Sequence, residues 1–386
     1  MLRYLTAGET HGKALTVIID GFPAGLKISV NDVNTELARR QIGYGRGARM
    51  QIEKDTVEFV GGVRLGQTTG APICLVIKNL DWQNWQQLMA VEALIIDKSK
   101  VQTRPRPGHA DLVGVLKYDR QDIRDILERS SARETVSKVA AGALCKKLLA
   151  AFDVSLFSFV KEIGGIRSDI SKLSLAEIKK FAELSVVRTP DKTAEKKMIS
   201  AINDAKTKGD TLGGIFSLVA QNVPLGLGSH TQWDKKLDAK IAAALMAVQA
   251  IKGVEFGAGF SYGSLPGSIM HDEIYYSKEK SFYRKTNNAG GFEGGMTNGE
   301  NIFISCVMKP IPSLAKPLSS VDIKTKKISP ASLVRSDVCA VPAAGVVGEA
   351  VVAIELTGSF IEKFGGDTLV DMKTAFVAYK KRIKNY

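Results

Sequence analysis

Cysteine is scarce and scattered: Cys74, Cys145, Cys306 and Cys339 are the four in 386 residues, each among apolar neighbours. There is no C-x-x-C pair and no Cys/His ligand spacing, so neither a zinc site nor a disulfide framework is indicated and no metal is expected. Free buried thiols fit a reducing compartment. A Walker A motif is missing, and so is a G-x-G-x-x-G after a strand. Gly43-x-Gly45-x-Gly47 has the wrong spacing and opens no good helix, so a nucleotide cofactor would have to bind outside those two frames. Glu9 and His11 stand where a signal peptide needs its apolar core, and no apolar run is expected to reach membrane-spanning length. The expected home is the cytoplasm, with no membrane partner. No internal repeat is visible.

Positive charge is in surplus. Lys and Arg number 53 against 40 Asp and Glu, a net charge of +13, which favours an anionic partner. Lysine pairs such as Lys179-Lys180 and Lys380-Lys381 read as solvated faces. The arginines sit instead beside Gly, Ser, Pro and His, as at loops lining a site. The densest stretch runs Arg39-Arg40-Gln41-Ile42-Gly43-Tyr44-Gly45-Arg46-Gly47-Ala48-Arg49-Met50, with four arginines and three glycines. Guanidinium forks fit carboxylate and phosphate oxygens, and glycine lets backbone come close to a ligand. A solvated basic loop or a nucleic-acid patch would look the same on this stretch alone.

Ser29 or Asn31 can cap a helix carrying Val33 and Leu37, which delivers Arg39 and Arg40 to that loop. Strands are expected at 14–19, 56–60, 73–77, 154–166, 215–222 and 302–307. Helices are expected at 119–128, at 136–152 with Ser130 or Ser131 as N-cap, at 237–251, from Pro342 through 364, and over a basic C-terminal segment within 366–386. Residues 170–210 are lysine-rich and read as a peripheral helical excursion. Prolines make Arg104–Asp111 a rigid loop presenting two arginines and His109. The glycine pairs of 284–300 make a long loop in which function is expected. Strands and helices recur without clean βαβ alternation, so the fold class is α+β, helices packed with sheets, in one domain over 1–386.

Nine segments in order resemble the chorismate synthase family: GETHG at 8–12, RRQIGYGRGARMQIEKD at 39–55, RPGHADL at 106–112, ERSSARET at 128–135, DTLGG at 210–214, AIKGVEFGAGF at 250–260, TNNAGGFEGGMTNGE at 286–300, MKPIP at 308–312 and RSDVCAVPAAGVVGEA at 335–350. They span essentially the whole chain; the 170–210 excursion and the last helix carry little of the likeness. The resemblance implies a β-α-β sandwich with antiparallel-rich sheets, usually a homotetramer. It implies a lyase that converts 5-enolpyruvylshikimate 3-phosphate to chorismate and phosphate by 1,4-anti elimination, the last common step of aromatic amino-acid biosynthesis. The cofactor implied is reduced FMN (FMNH2), with no net redox change.

By motif position, the family's substrate-contacting arginines fall on Arg40, Arg46, Arg49, Arg106, Arg133 and Arg335, and its catalytic groups on His11, His109, Asp337 and Thr10. Cofactor contacts fall on Arg129, Ser130, Ser131, Gln249, Ala250, Gly294, Lys309, Pro310, Ile311, Pro312, Ser313 and Arg335. Thr10 and Ser313 keep the hydroxyl of the family's usual Ser and Thr. Two carboxylates and two phosphates packed together need fixed cations among them, a physical reason for so many arginines. Each arginine alone would read as a structural ion pair. A lone His is more often packed or exposed than catalytic, but His11 and His109 both stand in Gly-flanked motif loops. The resemblance gives His11 a general-acid role toward the leaving phosphate, and His109 and Asp337 proton roles near the flavin. His230 reads as structural and His271 as surface.

Two rivals remain at this stage. An NADPH-dependent flavin reductase is one; no added reductase segment is evident, so NADPH is expected at most as an external source of reductant. A basic nucleic-acid-binding protein is the other, and Arg39–Arg49 offers only Tyr44 for stacking.

Overall fold

The computed structural model describes residues 1–47, 54–92, 100–334 and 336–386. Period-two alternation builds the first sheet. In β1 (Arg3–Ala7), β2 (Ala14–Asp20), β3 (Val57–Gly61) and β4 (Ile73–Lys78), every neighbour is antiparallel, in the order β1-β2-β4-β3. Leu15, Val17, Ile19, Ile73, Leu75 and Ile77 point to one buried face, while Leu5 and Ile18 lie on the other. The second sheet is antiparallel too. It comprises β5 (Ser155–Ile163), β6 (Ile166–Arg167), β7 (Gly214–Gln221), β8 (Ile251–Phe256) and β9 (Ile302–Met308), ordered β8-β9-β7-β5-β6. The architecture is α+β.

Helices fill the space between the sheets. Ser29 caps α1 (Val30–Gln41) through a reciprocal capping box with Asp32. The chain then runs through α2 (Asp111–Tyr118) and α3 (Arg124–Ser130) into α4 (Thr135–Ala150). Helix α4 packs on β2 and on the long α8 (Val341–Phe364), which in turn packs on β5 and β7. In chain order between α4 and α8 come α5 (Leu175–Leu184), which covers the opposite face of the second sheet through Ile178 and Ala182, α6 (Lys192–Lys208) and α7 (Leu237–Met246); α9 (Leu369–Lys384) closes the chain.

Three expectations need correction. Helix α8 is long and apolar enough to cross a membrane by length and composition, with mean hydropathy 1.6, so a run of that length does exist. It is apolar all round because it is sandwiched between sheet and helices, with 83% of that window buried inside the fold. Of the helix expected at 119–128 only 124–128 is helical, as part of α3; Asp119 takes a left-handed φ of 51° and ends the separate, unexpected α2. The segment expected as a helix at 136–152 begins through a 3₁₀ turn, Ala132–Glu134. Ser131 caps that turn, while the Ser130 hydroxyl donates back to Ile126 O (2.8 Å) in α3.

Close approach of α4 and α8 depends on Gly142. A Cβ there would stand 2.4 Å from Ala350 Cβ and 2.5 Å from Ala350 Cα. Alanine ordinarily gains about 1 kcal/mol over glycine within a helix. Overpacking against a backbone costs about 1–3 kcal/mol. Gly142→Ala should therefore lower the urea midpoint, whereas an unchanged or raised midpoint would show the two helices free to separate.

Candidate functional site

Helix α1 ends with two arginines that part company. Successive helical residues point about 100° apart, so Arg39 and Arg40 face different neighbours. Arg39 turns inward to Glu349 in α8 (2.7 and 3.0 Å), with Glu36 and Glu183 alongside. Arg40 is 4% exposed and reaches the start of α4, where Nε donates to Thr135 Oγ1 (3.0 Å) and Nη2 to Ala132 O (3.2 Å). Its Nη1 is 3.6 Å from Asp55, which also pairs with Arg133 at 2.5 Å. Burial, joined by the charges of Arg46 and Arg133, draws the Arg40 guanidinium down to about 10 against the pull of Asp55 and Asp337. It stays charged at neutral pH, in a place where another cation is costly and an anion is welcome.

The glycine loop after α1 is held by the 170–210 segment as well as by α8. Tyr44 N–H donates to Val186 O (2.8 Å), and its hydroxyl donates to Asn203 (2.9 Å). Gly45 has φ +85°, and a Cβ there would meet Ile202 at 2.9 Å. The loop then places Arg46 against Asp337 (3.2 Å), whose other oxygen accepts from Gly47 N–H (2.6 Å). Arg49 and Arg335 lie outside the described residues.

His11 lies over α3. Its backbone N–H donates to Glu128 Oε2 (2.8 Å), and its Nδ1 is 2.9 and 3.0 Å from the two carboxylate oxygens. Its ring stacks on Trp85 at 3.7 Å, and the Arg124 guanidinium approaches the same indole. Thr10 fastens the loop, both its N–H and its hydroxyl donating to Glu128 O (2.9 and 2.8 Å). Burial alone would raise the Glu128 carboxyl, but His11 and Arg124 outweigh it and hold it below its ordinary value.

The proline loop carries a second histidine–carboxylate pair. His109 Nδ1 is 2.6 Å from Asp111 Oδ1, and Arg106 donates to the same carboxylate from its backbone N–H, Nε and Nη2 (3.1, 2.8 and 3.1 Å). Asp111 is fully buried. Burial works to raise its carboxyl, but these partners hold it well below the carboxylate range. Arg106 Nη1 donates to Ser313 Oγ (2.7 Å), and Lys309 Nζ donates to Gly108 O.

These groups form a circuit. Ser336 Oγ donates to Ser313 O (2.6 Å), which brings the 309–313 segment beside Asp337 and Arg46. Thr211 Oγ1 donates to Ile311 O (2.8 Å), between Pro310 and Pro312. Lys309 N–H donates to Ala250 O (2.9 Å), and Gln249 Nε2 donates to Glu134 (3.2 Å), next to Arg133. Arg129 reaches the end of β1, donating to Thr6 O (2.9 Å) and Gly8 O (3.1 Å). Gly294 stands beside His230, whose Cβ is 3.9 Å from where a side chain would start. His271 is exposed.

Sequence reasoning assigned no role to Glu128, Asp111, Asp55 or Trp85. The first three lie within motif segments and could have been singled out as acids beside their basic partners. Trp85 falls in a weakly patterned stretch with no such signal. No group of three or more potential metal ligands occurs among the described residues.

A family model for chorismate synthase matches residues 2–361. The chain is 53% identical over 393 residues to the chorismate synthase of Geobacter sulfurreducens, covering 100% of both chains. It is 54% identical over 385 residues to that of Desulforamulus reducens, again over 100% of both, and 54% identical over 384 residues to that of Endomicrobium trichonymphae. A crystal structure of chorismate synthase superposes with TM-score 0.82 at 41% identity, covering 100% of this chain and 99% of that one.

Proposed function

The chain belongs to the chorismate synthase family, and on that premise we propose that it converts 5-enolpyruvylshikimate 3-phosphate to chorismate and phosphate. The phosphate leaves with the electron pair of its C–O bond, a hydrogen is lost from the opposite face of the ring, and a second ring double bond forms. The observation that carries this reading is the gathering of Arg40, Arg46 and Arg133 around Asp55 and Asp337. Three guanidiniums meet two carboxylates there among the described residues, an excess that a polyanionic substrate complements.

In this reading Arg46 faces the substrate phosphate, with Arg49 from the same loop. Arg40, Arg106 and Arg133 face its carboxylates, and Arg335 is assigned to substrate and cofactor alike. His11 donates a proton to the departing phosphate, and Thr10 keeps its loop in place. His109 and Asp337 handle protons beside the cofactor.

The residues present fit a flavin mononucleotide. Gln249 Oε1 is buried and accepts no hydrogen bond among the described residues, which suits a ring N–H. Burial, with Lys252 adding to it, lowers the Lys309 ammonium, so this amine gains from an anionic neighbour. Arg129, Ser130, Ser131, Gln249, Ala250, Gly294, Lys309–Ser313 and Arg335 would hold the group. When bound, reduced FMN would supply the electron density that eases cleavage of the C–O bond, with no net redox change. The same reading makes the helix-filled pair of sheets the family's β-α-β sandwich, a cytoplasmic homotetramer without nucleic-acid or membrane partners, with NADPH serving only as an outside source of reductant.

Mixing the protein anaerobically with substrate and chemically reduced FMN should release chorismate and phosphate, and oxidised FMN should release neither. Product with oxidised FMN alone, or none with reduced FMN, would overturn the proposal.

A further inference from the structure

We propose that Glu128 is the positioning residue for His11, fixing the imidazole in its Nδ1–H form so that Nε2 is its working nitrogen; this rests on the general-acid reading above. Three donors converge on one buried carboxylate: the His11 backbone N–H, His11 Nδ1 and Arg124 Nη1, the last at 3.3 Å. Glu128 is 2% exposed, so water does not compete for its oxygens. An ionised carboxylate only accepts. The nitrogen facing it at 2.9 and 3.0 Å must therefore carry hydrogen. Neutral His11 then keeps its lone pair on Nε2, and the cation carries its transferable proton there.

The ring plane is set independently. Trp85 stacks on it with 23° between planes, and Trp85 is itself anchored by its indole N–H donating to Asp81 (2.8 Å). Among the described residues, the charged groups facing this pair include Arg124 from α3, whose guanidinium lies 5.3 Å from the Trp85 ring, Asp81 at the indole N–H, and Glu128 itself. Arg124 belongs to the carboxylate and the indole. Nothing in this arrangement turns Nδ1 toward a substrate.

Gln in place of Glu128 keeps size but offers one acceptor oxygen where two His11 donors need accepting, and its NH2 group opposes whichever donor remains. Nitrogen NMR of the wild-type protein, read at a pH where His11 is neutral, should show it in the Nδ1–H form. The exposed His271 provides an internal reference. In Glu128→Gln, His11 should shift toward the Nε2–H form that free imidazole side chains favour. Turnover should fall on the order of 10²-fold with KM little changed, and the alkaline limb of the pH–rate profile should move to lower pH. Trp85→Phe, which keeps a stacking ring, should preserve the tautomer. A wild-type His11 in the Nε2–H form, or a folded Glu128→Gln with unchanged tautomer and unchanged profile, would overturn the proposal. The nitrogen spectra need no substrate, so they stand or fall separately from the lyase reaction.

Discussion

His11→Ala is expected to lower turnover by about 10² to 10⁴-fold, the usual contribution of a positioned general acid, while the affinity for FMN is retained. A phosphate dianion leaves poorly unless its developing charge is met, and His11 combines a partly open ring with a backing carboxylate. Its side chain is 12% exposed, against 2% for the Glu128 that holds it. Most residues assigned to the flavin, on 249–250, 294 and 309–313, lie elsewhere around the circuit, and Arg129 and Ser130, next to Glu128, are held by Thr6, Gly8 and Ile126 rather than by the His11 ring, so flavin binding should survive. Stopped-flow turnover and a flavin titration on the same preparation test both halves. Unchanged turnover with lost flavin affinity would move His11 from the substrate to the cofactor.

Removing the Glu349 carboxylate should strongly destabilise the core. Glu349 is fully buried in α8 and meets Arg39 at 2.7 and 3.0 Å, Lys146 at 2.7 Å and the Ser158 hydroxyl at 2.6 Å, with Arg188 at 3.5 Å. Glu349→Leu would leave three cations buried with less compensation. Breaking a buried pair from one side costs about 3–5 kcal/mol, to be read as a lowered urea midpoint. Loss of substrate affinity should accompany it, because Arg39 and Arg40 share the last turn of α1. Burial pushes the Glu349 carboxyl up, but Lys146, Arg39 and Arg188 outweigh it and hold it far below its ordinary 4.5. A depressed carboxyl stabilises the fold above its unfolded value and loses that contribution as pH falls through the folded one. The wild type should therefore lose stability progressively below about pH 4.5, as a carboxylate that is ionised when folded must take up its proton on unfolding. The Glu349→Leu variant should show a shallower dependence over that range.

The parts of this protein that could be read from its sequence are those whose signal is local. The Ser29 cap, the Pro342 start of α8 and the close packing at Gly345 and Gly348 each follow from one residue's geometry; a Cβ on Gly348 would stand 2.9 Å from Phe216. Arginine and glycine together marked an anion loop without saying which arginine faced which way. Arg39, which had no assigned task, proved to be the structural one, since its partner Glu349 is 310 residues distant and no spacing rule reaches that far. Glu128 and Asp111 were written in the motifs but silent, because a carboxylate acquires a role only when folding buries it beside a particular imidazole. The 170–210 segment, read as peripheral, braces the glycine loop through Val186 and Asn203, contacts made by ordinary residues that carry no pattern of their own.

The central claim is that a gathered set of arginines and two backed histidines eliminates phosphate from one small polyanion without net oxidation. Its most direct test supplies the protein with excess 5-enolpyruvylshikimate 3-phosphate and a small amount of photoreduced FMN in a sealed anaerobic cell, with no NADPH. The account predicts many turnovers per flavin, phosphate and chorismate in equal amounts, and flavin still reduced at the end. Product that stops at one equivalent of flavin, with the flavin oxidised in step, would contradict it.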